Sequence, residues 1–152
     1  MDKLRLIGKL NEAISLELGA LIQYNHYAQV ITGQERRIWH EFFEETSEEA
    51  YKHAKKFASR VVALGGTPAV EPAPTKQTVD LQEMLSNSLE VERRAVKVYT
   101  EALGLCDDNP AYRNILEEQI SDEQTDVEEL EKYLNQVQRA QIATPQRKAE
   151  TA

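Results

Sequence analysis

GGTPAVEPAPTKQ, from Gly65 to Gln77, is the stretch that decides the fold of this chain. It holds three of the five prolines and the one Gly-Gly pair in the sequence. A proline-rich segment of this kind is extended, at about 3 Å per residue, so its length is on the order of 40 Å. On either side lie long stretches almost free of breakers. Their spacing predicts helices over about 3–31, 35–64, 78–104 and 109–141. Each would also be on the order of 40 Å long. The first two meet at Thr32-Gly33, a helix-ending signal. The last two meet between Gly104 and Pro110, with Asn109 as N-cap and Pro110 at the first helical position. Both links are short and make antiparallel hairpins. The middle link is long enough to run the length of a bundle. The expectation is an all-α four-helix bundle with one long crossover between the second and third helices, not a plain up-down-up-down arrangement.

The 152 residues suit one domain, a bundle over 1–142 followed by a polar flexible tail over 143–152. Hydrophobic residues make up 41% and charged residues 29%, a composition that packs a core and argues against disorder. Acids outnumber bases 26 to 18, for a net charge of -8, so a basic footprint for nucleic acid is missing. The patch Gln146-Arg147-Lys148 is too weak to hold DNA, which disfavours a DNA-protecting shell. No apolar run reaches the roughly 18 residues that span a bilayer, so no membrane partner is expected. MDKLRLIGKL at the start has scattered charges and no apolar secretory core. The single Cys106 excludes an internal disulfide and any cysteine-cluster metal site. Together these point to the cytoplasm.

The apolar faces carry the chemistry. The first helix turns Ile7, Leu10, Ile14, Glu17, Leu21, Tyr24 and Ala28 one way. The second aligns Phe43, Thr46, Ala50, His53, Phe57 and Val61. The third aligns Leu85, Ser88, Glu92, Ala95 and Tyr99. The fourth aligns Leu116, Ile120, Glu123, Val127 and Leu130, with Asp126 one turn beyond Glu123. Each face thus has ionisable groups at mid-height. A lone buried carboxylate is very costly. Three helices with carboxylates and a fourth with a histidine, all at one level, make sense around cations. Di-metal bundles use a Glu from each of two helices and Glu-x-x-His from each of the other two. Here Glu17 and Glu92 form the first pair. Glu123-x-x-Asp126 and Ala50-x-x-His53 form the second, each altered at one position. The bland reading of His53 alone is a core histidine bonded to a carbonyl, and that of Asp126 is a solvated residue at the edge of the seam.

LELGALIQY in the first helix, AYKHAKKF in the second, the LGGTP hinge, DLQEMLSNSLEVE into the third and ISDEQTDVEELEKYL in the fourth resemble the bacterioferritin branch of the ferritin superfamily, over roughly 5–135. The resemblance implies that Glu17 and His53 bind one iron, that Glu92 and Asp126 bind the other, and that Glu123 bridges them. It implies a redox-active role for Tyr24. Two positions depart from the family. Its second bridging Glu is Ala50 here, and its last His is Asp126. Asp still suits a hard cation, whereas Ala50 offers no donor. Glu49, one residue earlier, lies about 100° around the helix and is carried as a further metal candidate. The site is therefore expected to hold two iron ions, or one. The position of the family's haem-binding methionine is Tyr51, which argues against methionine-ligated haem. The family's short fifth helix is not expected.

The functional expectation is Fe(II) oxidation by oxygen or peroxide, with storage of the ferric product in a homo-oligomer, a dimer or a larger shell. The alternative is a di-metal oxidoreductase without storage, or a degenerate scaffold with one metal or none. The acidic run EFFEETSEE (41–49) reads as a solvated face, with Glu45 and Glu49 as extra iron contacts in the sharper reading. Trp39 is expected at a subunit contact, Met84 in core or interface space, and Cys106 as an incidental loop residue.

Overall fold

The computed structural model describes residues 1–107 and 109–140. Four helices run in order: α1 Lys3–Val30, α2 Arg36–Ala63, α3 Leu81–Leu103 and α4 Pro110–Tyr133. No strand occurs among the described residues. No helix there is long and apolar enough to cross a membrane. Three helix starts are fixed by side-chain caps. Asp2 accepts from the Arg5 amide at 3.2 Å, Asp80 from the Glu83 amide at 2.9 Å, and Asn109 from the amides of Ala111 and Tyr112. The third helix therefore begins at Leu81, a few residues later than its apolar spacing implies.

The fourth helix is shorter than expected, ending at Tyr133 and not near 141. Asn135 takes a left-handed φ of 55°. Its amide donates to Lys132 O at 3.1 Å, and that of Gln136 donates to Glu131 O at 2.8 Å. This pair of bonds is a Schellman stop, which satisfies the last carbonyls and turns the chain away. Gly65 and Gly66 end α2 in the same way, bonding Val62 O and Val61 O. The expected tail over 143–152, and any fifth helix within it, lie outside the described residues.

The crossover lies along α1. Asn11 holds its beginning through Thr67 O and the Ala69 amide. The Ala73 amide donates to Ser15 O at 2.8 Å. Gln23 Oε1 accepts from the Lys76 amide at 2.8 Å, and the Tyr27 hydroxyl donates to Lys76 O at 2.6 Å. The strap thus passes from the level of Asn11 to that of Tyr27. It comes so near at Gly19 that a Cβ there would stand 2.7 Å from Ala73 O. The result is a four-helix bundle with α1 antiparallel to α3 and the long connection between α2 and α3.

The core divides into two apolar halves. One contains Leu6, Leu10, Phe57, Val61, Tyr99 and Leu116, and the other Tyr27, Phe43, Met84, Leu85 and Leu130. Full burial of such a side chain contributes roughly 1.5–3 kcal/mol. Cys106 belongs to the first half and is fully buried, with its thiol donating to Ala102 O. It is a packing residue, not an incidental loop position, because the turn after α3 folds back under the helix. Trp39 packs within the chain, its ring 5.1 Å from that of Tyr133 and 5.4 Å from that of Phe42. Between the two apolar halves lies a polar waist.

Candidate metal centre

Five side chains meet at the waist. Glu17 comes from α1, His53 from α2, Glu92 from α3, and Glu123 and Asp126 from α4. Glu17, Glu92 and Glu123 are buried, while His53 and Asp126 are partly exposed. Their donor atoms form two overlapping groups. Glu17, His53 and Glu123 each offer one ligand atom within 4.8 Å of the others, and so do Glu92, Glu123 and Asp126. Glu123 is common to both. Glu49, also a sequence candidate, is not brought into either group. It is exposed and stands at the rim of the cavity that the five line. Glu41, Glu44, Glu45 and Glu48 are likewise exposed on α2. Tyr51 is half exposed, with the Lys55 ammonium 4.4 Å above its ring.

Two tyrosines complete the waist. The Tyr24 hydroxyl donates to Glu92 Oε1, and the Tyr99 hydroxyl donates to Glu17 Oε1. The pairs are reciprocal. Tyr24 lies seven residues after Glu17 on α1, Tyr99 lies seven after Glu92 on α3, and each phenol reaches the acid of the other helix. Tyr99 had been visible only as a member of the apolar seam. The repeated Glu-to-Tyr spacing in two antiparallel helices was the signal that could have found it.

The electrostatics are those of an acidic cluster short of positive charge. Burial, then the nearby charge of Glu92, outweighs the help of His53 and pushes Glu17 up to about 7. Burial and the charge of Glu123 hold Glu92 well above the usual carboxylate range. Burial also raises Glu123. Asp126 rises to about 7 through burial and the charges of Glu92 and Glu49. Burial alone would pull His53 down, but the close carboxylates of Glu123 and Glu17 carry it up to about 10. Protons here do the work that a cation would do.

The residues fit a metal on a separate observation. His53 Nδ1 and Glu123 Oε1 are 2.7 Å apart, yet both are buried with no hydrogen-bond partner. The contact is an ion pair without a well-formed hydrogen bond, and a cation held by both atoms would satisfy them. Buried orphans of this kind are rare and mark an unfilled role. Four carboxylates and one imidazole suit hard or intermediate divalent ions such as iron.

The described fold agrees with known proteins. A family model described as "Ferritin-like domain" matches residues 7–140. This chain belongs to the ferritin-like family. Among curated relatives of this ferritin-like chain is a bacterioferritin of Brucella melitensis, 30% identical over 135 residues, covering 86% of this chain and 83% of the relative. A bacterial ferritin of Pseudomonas aeruginosa is 28% identical over 128 residues, covering 80% of each. Among solved structures, a ferritin-like diiron-carboxylate protein of Bacillus anthracis is 34% identical with a TM-score of 0.86, covering 89% of this chain and 99% of that one. A bacterioferritin of Rhodobacter capsulatus, with a metal-free dinuclear site and haem iron, is 30% identical with a TM-score of 0.78, covering 86% of this chain and 84% of that one.

Proposed function

We propose that this ferritin-like protein binds Fe(II) at the waist and oxidises it with dioxygen or peroxide, in the cytoplasm and within a homo-oligomer that retains the ferric product. The reading is carried by the two ligand groups that share Glu123. In it Glu17 and His53 hold one ion, Glu92 and Asp126 hold the other, and Glu123 lies between. Iron is the substrate, and as a pair it gives up electrons to the oxidant. The chain's own residues position it and manage protons. Tyr99 orients Glu17 and Tyr24 orients Glu92 by donating to one oxygen of each carboxylate. Both hydroxyls sit in a buried setting where such bonds are strong. The protons that Glu17 and Asp126, raised to about 7 by burial, still hold near neutral pH leave as the cations enter. In this reading Tyr24, hydrogen-bonded to Glu92, is the redox-active neighbour of the iron pair. Glu49, at the rim, makes the first contact with an entering cation.

Anaerobic Fe(II) titration of metal-free protein, followed by air, tests this. The expected result is stoichiometric uptake and then a ferric absorption band near the ultraviolet edge. No uptake, with oxidation no faster than in buffer, would refute it. The cavity beside Ala50 favours a second reading, a di-metal oxidoreductase without storage. Native mass separates the two, because a hollow iron-filled shell supports storage and a metal-loaded dimer supports small-molecule chemistry.

A further inference from the structure

The di-metal bundle pattern calls for four carboxylates and two imidazoles. This chain has Ala50 in place of one Glu and Asp126 in place of one His. The first change removes a negative charge and the second restores it. Glu17, Glu92, Glu123 and Asp126 are still four carboxylates, with His53 the one imidazole. Their summed charge, four negative, balances two divalent ions. The number of donor groups has nevertheless fallen by one, and the gap lies at the Ala50 edge. The structure has room there. A cavity of about 10 Å³ is lined by Ala50, Thr46, Glu17, His53, Glu123 and Asp126, among others. That volume admits a single water-sized group. Outside it lies a larger cavity of about 360 Å³ that shares Glu49, His53 and Asp126 and carries Lys52 and Lys56 in its wall.

Resting on the iron-binding reading above, we infer that Asp126 compensates the charge lost at Ala50, and that the open edge beside Ala50 takes a small monoanion from solution when the bound pair is trivalent. Two trivalent ions carry two positive charges beyond what the four carboxylates neutralise. The other nearby acids, Glu49 and Asp122, are exposed and lie outside both ligand groups. A monoanion at the Ala50 edge, where a donor is missing, offsets one of those two charges, and water and the exposed acids at the rim screen the other. A divalent pair has no such excess and leaves the edge to water.

Azide is the probe. The full chain is loaded with two ferric ions, its metal content is measured by elemental analysis, and azide is titrated in while the visible charge-transfer absorption is followed. The parent should hold two ions and give a saturable azide band. A50E, whose carboxylate fills the edge, should bind azide at least about tenfold more weakly. The zinc(II)-loaded parent should do likewise by calorimetry. D126H should lose about tenfold or more in affinity for the second ion, and A50E/D126H should regain it. Circular dichroism of each variant establishes that it is folded, and the azide comparison between parent and A50E stands even if D126H does not fold. Two ions without an azide band, or a band undiminished in A50E, overturn the inference and leave the iron-binding reading intact. A band that emerges only in E49Q shows Glu49 occupying the edge and also overturns it. A parent that takes up no metal overturns both.

Discussion

Glu17→Gln separates a metal centre from a structural polar cluster. Glu17 is buried at 5% exposure, and its carboxyl is raised from 4.5 to about 7. A group raised on folding contributes stability that is present below its unfolded value and lost as pH rises through its folded value. The metal-free protein should therefore weaken as pH climbs from about 4.5 to 7. The shift of about 2.5 units corresponds to roughly 3 kcal/mol at most, at 1.36 kcal/mol per unit. His53 acts with the same sign but in a higher window, between 6.5 and about 10, so the comparison is cleanest below 6.5. Glutamine keeps an acceptor for Tyr99 and removes the ionisation. Metal-free E17Q at neutral pH should be about 1–3 kcal/mol more stable than the parent, or roughly 3–10 °C in Tm for a chain of this size. Its stability should also fall less steeply between pH 4.5 and 6.5. Divalent metal should then raise the Tm of the parent well above that of E17Q, reversing the order. Thermal melts with and without zinc or anaerobic Fe(II) read both effects. A metal-free E17Q that melts lower than the parent, yet keeps the full metal-dependent rise, would refute the reasoning.

Other outcomes follow from the same geometry. Metal uptake near pH 6.5 should release more than one proton, since Glu17 and Asp126 titrate near 7 and His53 near 10, and affinity should rise with pH. Calorimetry in buffers of different ionisation enthalpy counts those protons. Tyr24→Phe should retain the metal stoichiometry while slowing oxidation by about tenfold or more, read by stopped-flow absorbance after mixing with oxygen. Gly19→Val should cost about 1–3 kcal/mol by driving a side chain against Ala73 O, measured by urea unfolding. Asn135→Ala should cost about 1 kcal/mol, because alanine resists the left-handed backbone that closes α4.

The four helices were legible because the breakers are sparse and clustered, and because GGTPAVEPAPTKQ has no other economical use than a strap. Glu17, His53, Glu92 and Glu123 were legible as charges on apolar seams, where burial without a partner is too costly to be accidental. Asn135 was not, since an asparagine in a polar run looks like any other residue until its φ is known. Cys106 was misplaced for a related reason. Periodicity reports which way a helix faces, but not how a turn folds back or which aromatic rings meet across helices. The hold of Asn11 and Gln23 on the strap depends on contacts more than fifty residues apart in sequence, which no local pattern records.

The reciprocal tyrosine pairs set a limit on how the molecule can deform. Tyr24 pins α1 to the acid of α3, and Tyr99 pins α3 to the acid of α1. A slide of one rod past the other by a single residue, about 1.5 Å, would displace both hydroxyls from their acceptors together. Shear along that contact is therefore resisted at the middle and freer toward the ends. Breathing of this bundle should start at its tips and die out before it reaches the acids, which keeps their spacing constant while the rest of the molecule moves.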